Sequence, residues 1–277
     1  MEEELKVPLF TRHGRGMVLT HAGELLRGRA GGILRQVEAT RTELMSEAGA
    51  VRGHVVFGMP PTVGDVLATR LIERFLALYP EVTLRAVTAY SGYLLEWLHG
   101  GEVDIAVLYG TEGAANVRIQ PLLAETLHFV RAARAGEPAG AAGRAVPFAE
   151  VATRRLVLPG PRHGLRILVQ KEALRHGLAL DVAVEADSLQ LMKALVMKGL
   201  GATVLPLASV HAEAAAGLLR ASPIVDPHLT RTLVVARPLG RRASNAVRRF
   251  DEVLRDEVAE MVDGEVWDGR LLADRRP

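Results

Sequence analysis

Hydrophobic positions along this chain follow two different periods, one after the other. From Thr20 to Glu47 there is no proline, and Leu26, Ala30, Ile33, Val37, Thr40 and Leu44 recur at alternating spacings of four and three, the seam of a heptad helix. Arg27, Arg29, Arg35, Glu38, Arg41 and Glu43 flank that seam, as a solvated opposite face requires. Two packings satisfy the pattern: a helix laid on its own domain, or a helix paired with a second copy. Beyond a loop from Ser46 to Gly53, short apolar runs alternate with amphipathic segments. Val55 to Phe57 reads as a strand, Asp65 to Leu78 as a helix with Leu67, Leu71, Ile72, Phe75 and Leu76 on one face, and Val82 to Val87 as a strand. Ser91 to Leu98 follows as a short helix and Val103 to Leu108 as a strand.

The same order then recurs. Leu156 to Leu158, Asp181 to Glu185 and Ala202 to Leu205 read as strands, with helices over Leu165 to His176 and Ser188 to Lys198. Val55 against Leu156, Val82 against Val182 and Val103 against Ala202 give offsets of about one hundred residues. Strands separated by helices predict parallel pairing with right-handed crossovers, so the chain is expected to form two similar α/β lobes with a cleft between them. Thr126 to Val130 and Thr232 to Ala236 read as further strands, and Ala243 to Val262 as a helix. The Ala/Gly/Pro-rich stretch from Ala132 to Pro147 is expected to be a mobile loop, and residues 263–277, from Trp267 onward above all, a frayed tail.

In open α/β folds, ligands sit beyond the carboxyl ends of the strands, where helix N-termini direct N–H groups into the crevice. Thr62, Ser91 and Ser188 stand at predicted helix starts, where capping and ligand contact are both open and compatible. Tyr109 opens another of these loops. Arg162 and His163 lie between a strand and a helix, where they would favour a carboxylate- or phosphate-bearing ligand. The glycines in Gly199-Leu200-Gly201 read as backbone geometry, and Asp104 as an architectural residue at a strand start.

Composition narrows the chemistry. The 277 residues carry 34 basic and 32 acidic side chains, a formal charge of +2, so nucleic-acid contact is expected to be local rather than spread over the surface. There is no cysteine, which excludes disulfides, thiolate metal sites and cysteine nucleophiles from this sequence. Phosphate-loop, nucleophile-elbow and His-Glu-x-x-His patterns are missing and the nine histidines are scattered singly, so neither an enzyme, a metal site nor a cofactor is expected. No secretory signal and no bilayer-length apolar run are present, and a cytoplasmic location without membrane contact is expected.

The first 23 residues, MEEELKVPLFTRHGRGMVLTHAG, carry a resemblance. Glu3, Glu4, Leu5, Pro8, Leu9, Phe10, Arg12, Gly14, Leu19, Thr20, Ala22 and Gly23 resemble the end of the recognition helix, the turn, the wing and the linker start of LysR-type transcriptional regulators. The family's earlier helices have no counterpart before Met1, which implies a misplaced start, a trimmed sequence or a protein without its own DNA reader. The resemblance implies a remnant of a winged helix-turn-helix over 1–19 and a linker helix over 20–48 that dimerises through Leu26, Ala30, Ile33, Val37 and Leu44. It further implies a type 2 periplasmic-binding-protein fold of two Rossmann-like lobes, lobe I over 52–125 and 230–262 and lobe II over 126–229, with the chain crossing near Glu125 and Thr230. Arg12, His13 and Arg15 are the implied DNA contacts. Thr62 and Ser91 match positions that line the family's effector cleft. The 58–64 and 225–231 segments look most like the branch of nitrogen-assimilation control regulators. The implied function is a DNA-binding transcriptional regulator, forming a dimer or tetramer, that senses a small, anionic effector. A stand-alone solute-binding protein of the same fold is the alternative.

Overall fold

The computed structural model describes residues 1–14, 16–45, 51–110, 115–140 and 143–272, with the side chains of 35, 36 and 38–45 excepted. The chain begins with α1 (Glu2–Leu5) and a small antiparallel hairpin, β1 (Phe10–His13) and β2 (Gly16–Leu19), in which Phe10 pairs with Leu19 and His13 with Gly16. Glu2 Oε1 accepts from Phe10 N at 3.1 Å and ties α1 to the hairpin. Thr20 Oγ1 donates to Pro8 O at 2.7 Å and accepts from Gly23 N at 3.0 Å, which caps the start of the long helix α2 (His21–Met45). Gly23 allows this close approach, because a methyl there would fall 2.1 Å from Leu9 O.

The α2 seam divides between surroundings. Leu26 and Ala30 are half-buried, while Ile33 and Val37 are 57% and 58% exposed beside the equally open Leu25 and Leu34. The Thr40 and Leu44 side chains fall outside the described residues. If the exposed portion pairs with a second copy, Ile33→Glu with Val37→Glu converts the oligomer to a smaller species in sedimentation at unchanged thermal stability. An unaltered sedimentation coefficient would make the seam a solvated face.

Beyond α2 run β3 (Gly53–Met59), α3 (Pro61–Leu78), β4 (Val82–Thr88), α4 (Ser91–Gly100), β5 (Ile105–Tyr109) and the 16-residue β6 (Val117–Ala132). Pro61 opens α3 at the first helical position, where its missing N–H costs nothing. Val63, Leu67, Leu71 and Phe75 then recur on one buried face. There follow β7 (Val146–Pro147), α5 (Phe148–Ala152), β8 (Arg155–Leu158), α6 (Gly164–Arg175), β9 (Asp181–Glu185), α7 (Leu189–Met197) and β10 (Thr203–Pro206). A 3-10 turn (Leu207–Val210), α8 (His211–Ala215), β11 (Leu219–Val225), β12 (Thr230–Pro238), α9 (Asn245–Asp263) and β13 (Gly269–Leu271) complete the chain.

β4, β3 and β5 pair in parallel, as expected from the helices between them. β12 lies between β5 and β6 and runs antiparallel to both. The reason is connectivity: β12 returns from the second half of the molecule directly after β11, whereas β6 sets out from the first half after β5. β6 is continuous through Glu125. Its first half lies between β12 and β13, and its second half between β10 and β11. β8 pairs with β9 in parallel and bridges to Ala202, which extends the second half. Among the described residues three hydrophobic clusters result, one around Phe57, Phe75 and Phe250, whose rings meet at 4.9 and 5.0 Å, one on the other face of the same sheet around Val56, Leu94 and Leu98, and one around Phe148, Leu158 and Leu205.

Two segments depart from their expected looseness. In the 132–147 stretch, of which 141 and 142 lie outside the described residues, Ala133 N donates to Leu218 O at 3.1 Å, Gly140 N to Ala214 O at 3.0 Å, and Arg131 and Glu137 form an ion pair at 2.6 Å. The expected tail is corrected more sharply over its described residues, 263–272. Trp267 is 1% exposed, and β13 adds Gly269, Arg270 and Leu271 to β6 opposite Glu125, Ala124 and Leu123. The indole finds a buried acceptor in Glu125, which a reading of the tail's polarity passes over.

Candidate functional site

A cleft of about 990 Å³ opens where the ends of β3, β5, β8 and β12 face one another. The first turns of α3, α4 and α6 and the start of α7 border it through Thr62, Ser91, Gly164 and Leu189. Four helix N-termini thus direct their positive ends toward one space. Leu165, Leu168, Met192 and Leu205 give it an apolar wall.

The lobe formed by α3, α4 and β5 presents hydroxyls. The expected capping position at Thr62 is corrected: α3 already begins at Pro61, so the Thr62 side chain does not cap. Its Oγ1 lies 2.8 Å from the Tyr109 hydroxyl instead. Ser91 is the first residue of α4, and its Oγ accepts from Tyr109 N at 3.0 Å. Arg231 donates through Nη2 to the Tyr109 hydroxyl at 2.7 Å and to Thr62 Oγ1 at 3.4 Å. An arginine only donates, so Tyr109 accepts from it and can donate its own O–H to Thr62. Thr62 and Ser91 are then each left with an O–H to give. Loss of hydration pushes the Tyr109 phenol well above its ordinary value, so it stays protonated across the physiological range.

Beneath these hydroxyls lies the pair that sequence reasoning missed. Arg231 and Glu125 stand opposite each other in the β12–β6 register, 7% and 1% exposed, with Nε and Oε2 at 2.5 Å. The other carboxylate oxygen accepts from Trp267 Nε1 at 2.8 Å. Loss of hydration lowers the Arg231 pKa, but the facing Glu125 and Tyr109 outweigh it and hold the guanidinium charged. It also lies 3.6 Å over the Tyr109 ring.

Across the cleft, His163 caps α6 by accepting from Leu165 N at 3.1 Å through Nδ1. Loss of hydration and the Arg231 charge lower its pKa, so the ring is neutral with its proton on Nε2. It is therefore a donor without charge, rather than the cation that would reinforce the helix. Arg162 is exposed at the rim. Ser188 caps α7, accepting from Leu191 N at 3.3 Å, and only its neighbours Asp187 and Leu189 line the cleft. Tyr90, also unforeseen, donates to Asp187 O from the opposite wall and meets the His163 ring edge-on at 4.7 Å. Gln190 reaches Asp65 at 2.9 Å as a second bridge. Thr62, Ser91, Tyr109, Arg162 and His163 are thus brought to one cavity, and Ser188 is placed behind it.

A family model described as the LysR substrate binding domain matches residues 48–259. The chain belongs to the LysR family. Among its relatives, the HTH-type transcriptional regulator BbuR of Bordetella bronchiseptica is 28% identical over 97% of this chain and 82% of its own length. The nitrogen assimilation regulatory protein nac of Klebsiella aerogenes is 30% identical over 74% of this chain and 66% of its own. A full-length OxyR variant from Pseudomonas aeruginosa superposes with a TM-score of 0.71 at 25% identity, covering 93% of this chain and 82% of that one. The effector binding domain of QuiR, solved with shikimate, shares the fold at a TM-score of 0.64 and 17% identity, over 76% of this chain and 99% of that one. Two lobes around a cleft are thus the periplasmic-binding-protein-like effector fold of LysR-type regulators, proteins that bind DNA and small effectors, oligomerise and are generally not enzymes.

Arg12 and His13 are exposed on the β1–β2 hairpin. Arg15 falls outside the described residues. Among the described residues, no group of three or more metal-ligating side chains occurs, and no helix is long and apolar enough to cross a membrane.

Proposed function

We propose that this regulator is switched by a small carboxylate with an apolar body, held in the cleft between lobe I (52–125 and 230–262) and lobe II (126–229). The observation that carries the reading is the pair of hydroxyls at Thr62 and Ser91, each already accepting, Thr62 from Tyr109 and Arg231 and Ser91 from Tyr109 N, with its O–H left to give. Hydroxyls with an O–H left to give suit an anion, and the converging helix ends add to the attraction. Arg162 and the His163 Nε2–H complete the site from lobe II, and the Leu/Met wall takes the apolar part. Tyr90 and Gln190 bridge the lobes, so an occupant shifts the population between open and closed arrangements. The linker helix transmits that shift to a partner copy, and Arg12, His13 and Arg15 meet DNA phosphates beside the recognition helix. A protein acting on bacterial DNA works in the cytoplasm.

Thr62→Ala combined with Ser91→Ala tests this directly. Shikimate, benzoate and other small carboxylates are screened by calorimetry, and the double variant is expected to bind the best of them at least about tenfold more weakly, at nearly unchanged melting temperature. Equal affinity would remove the lobe I hydroxyls from the site. Since this sequence contains no cysteine, a thiol-oxidation signal has no group here to act on.

A further inference from the structure

A second concavity of about 910 Å³ lies away from the cleft, between α2, the end of β12 and the start of α9. Among the described residues five arginines line it, Arg118, Arg237, Arg241, Arg242 and Arg248, against one carboxylate, Asp104. Asp104 already accepts from Val56 N at 2.9 Å. Arg237 is ion-paired to Asp251 at 3.3 Å. Arg248 and Arg241 donate to the carbonyls of Ala243 and Gly101, at 2.6 and 3.5 Å, which satisfies N–H groups without cancelling charge. Arg118 and Arg242 are exposed. Packing this much like charge into one hollow raises the local potential and draws in counter-charge.

The kind of anion follows from the donors. Guanidinium forks match phosphate oxygens two at a time, and several around one space suit several phosphates. The Ser244-capped start of the 19-residue α9 points at the same space. Leu34, Pro238 and Leu239 supply an apolar floor beside the charges, with Leu239 56% exposed. We infer that this groove binds a small anion carrying two or more phosphates on a partly apolar body, the chemistry of a nucleoside di- or triphosphate. The volume suits one small molecule.

The groove also touches the joint between linker helix and lobe I. The Arg241 guanidinium is wedged between Gly32 of α2 and Gly101 at the end of α4, so close that a methyl at either glycine would lie 2.1 or 1.8 Å from Nη2. A phosphate drawing on Arg241 therefore acts on the seat of the linker helix.

Calorimetry of the full chain with ATP and with inorganic triphosphate, free of magnesium, tests the inference. Both anions are expected to bind, ATP more tightly because of the apolar floor. Arg118→Glu with Arg242→Glu is expected to weaken both by at least about tenfold, since each swap reverses a charge. Both side chains are exposed, and circular dichroism and melting temperature confirm that the variant is folded. Absence of binding, or equal affinity in the Arg118→Glu/Arg242→Glu protein, overturns the inference. So does loss of ATP binding in Thr62→Ala/Ser91→Ala, which would place the anion in the cleft. Competition by random-sequence duplex DNA, at higher affinity and through the same arginines, would make the patch a reader of the phosphodiester backbone and also overturns it.

Discussion

Arg231→Ala is expected to destabilise the protein by about 3–5 kcal/mol, because it leaves the Glu125 carboxylate buried opposite an empty position. The pair is the contact between β6 and β12 where both strands pass between the lobes, and Glu125 is 1% exposed. For a chain of this size, the loss corresponds to a fall in melting temperature of roughly 10 °C or more. Arg231 also aligns the Tyr109 and Thr62 hydroxyls, so carboxylate binding in the cleft should weaken along with stability. Arg231→Met combined with Glu125→Gln separates the two effects. It removes both charges while the new amide keeps an oxygen for the Trp267 N–H, so most of the stability should return and ligand affinity should stay low. Urea titration reads the first effect and calorimetry the second. A single variant within about 1 kcal/mol of the parent would show that the carboxylate is readily neutralised or rehydrated, and that the pair does not hold the hinge.

The repeated strand and helix segments are legible in the sequence because they carry their own signals. Leu67, Leu71 and Phe75 recur at helical spacing, and Val55 to Phe57 is a continuous apolar run, so each element is specified by its neighbours. The family resemblance leads to Thr62 and Ser91, both of which the structure puts at the cleft. What cannot be read is anything depending on partners distant in the chain. Thr62 looks like a cap because a threonine stands before a helical run. Its real partners are 47 and 169 residues away. Glu125 and Arg231 do leave a trace, since each is a charged residue set among the apolar positions of a strand, in LLAETLHFV and in HLTRTLVVA, where alternation calls for an inward side chain. Opposite charges at two such positions are a signal for a buried pair. The register that joins them is set by the fold.

Trp267→Ala is the second large effect. The segment from 263 reads as polar tail because Asp263, Glu265, Asp268 and Arg270 surround a lone tryptophan. In the fold that tryptophan anchors the strap that lays β13 along β6, packing with Leu271 on the Phe250 core. Cutting the indole back to a methyl is expected to cost about 3–5 kcal/mol in lost packing and cavity. It also removes the donor to Glu125 Oε1, so the Arg231 pair is loosened from the other side and the two variants should not be additive. Trp267→Phe divides the cost. The ring remains but the N–H is gone, and about 1–3 kcal/mol is expected from the unsatisfied carboxylate oxygen alone. In a Trp97→Phe background Trp267 is the sole indole, and its emission reports whether the strap is docked during urea titration. Trp267→Ala unfolding at the same urea concentration as the parent would mean the strap is dispensable, and that Glu125 is held by Arg231 alone.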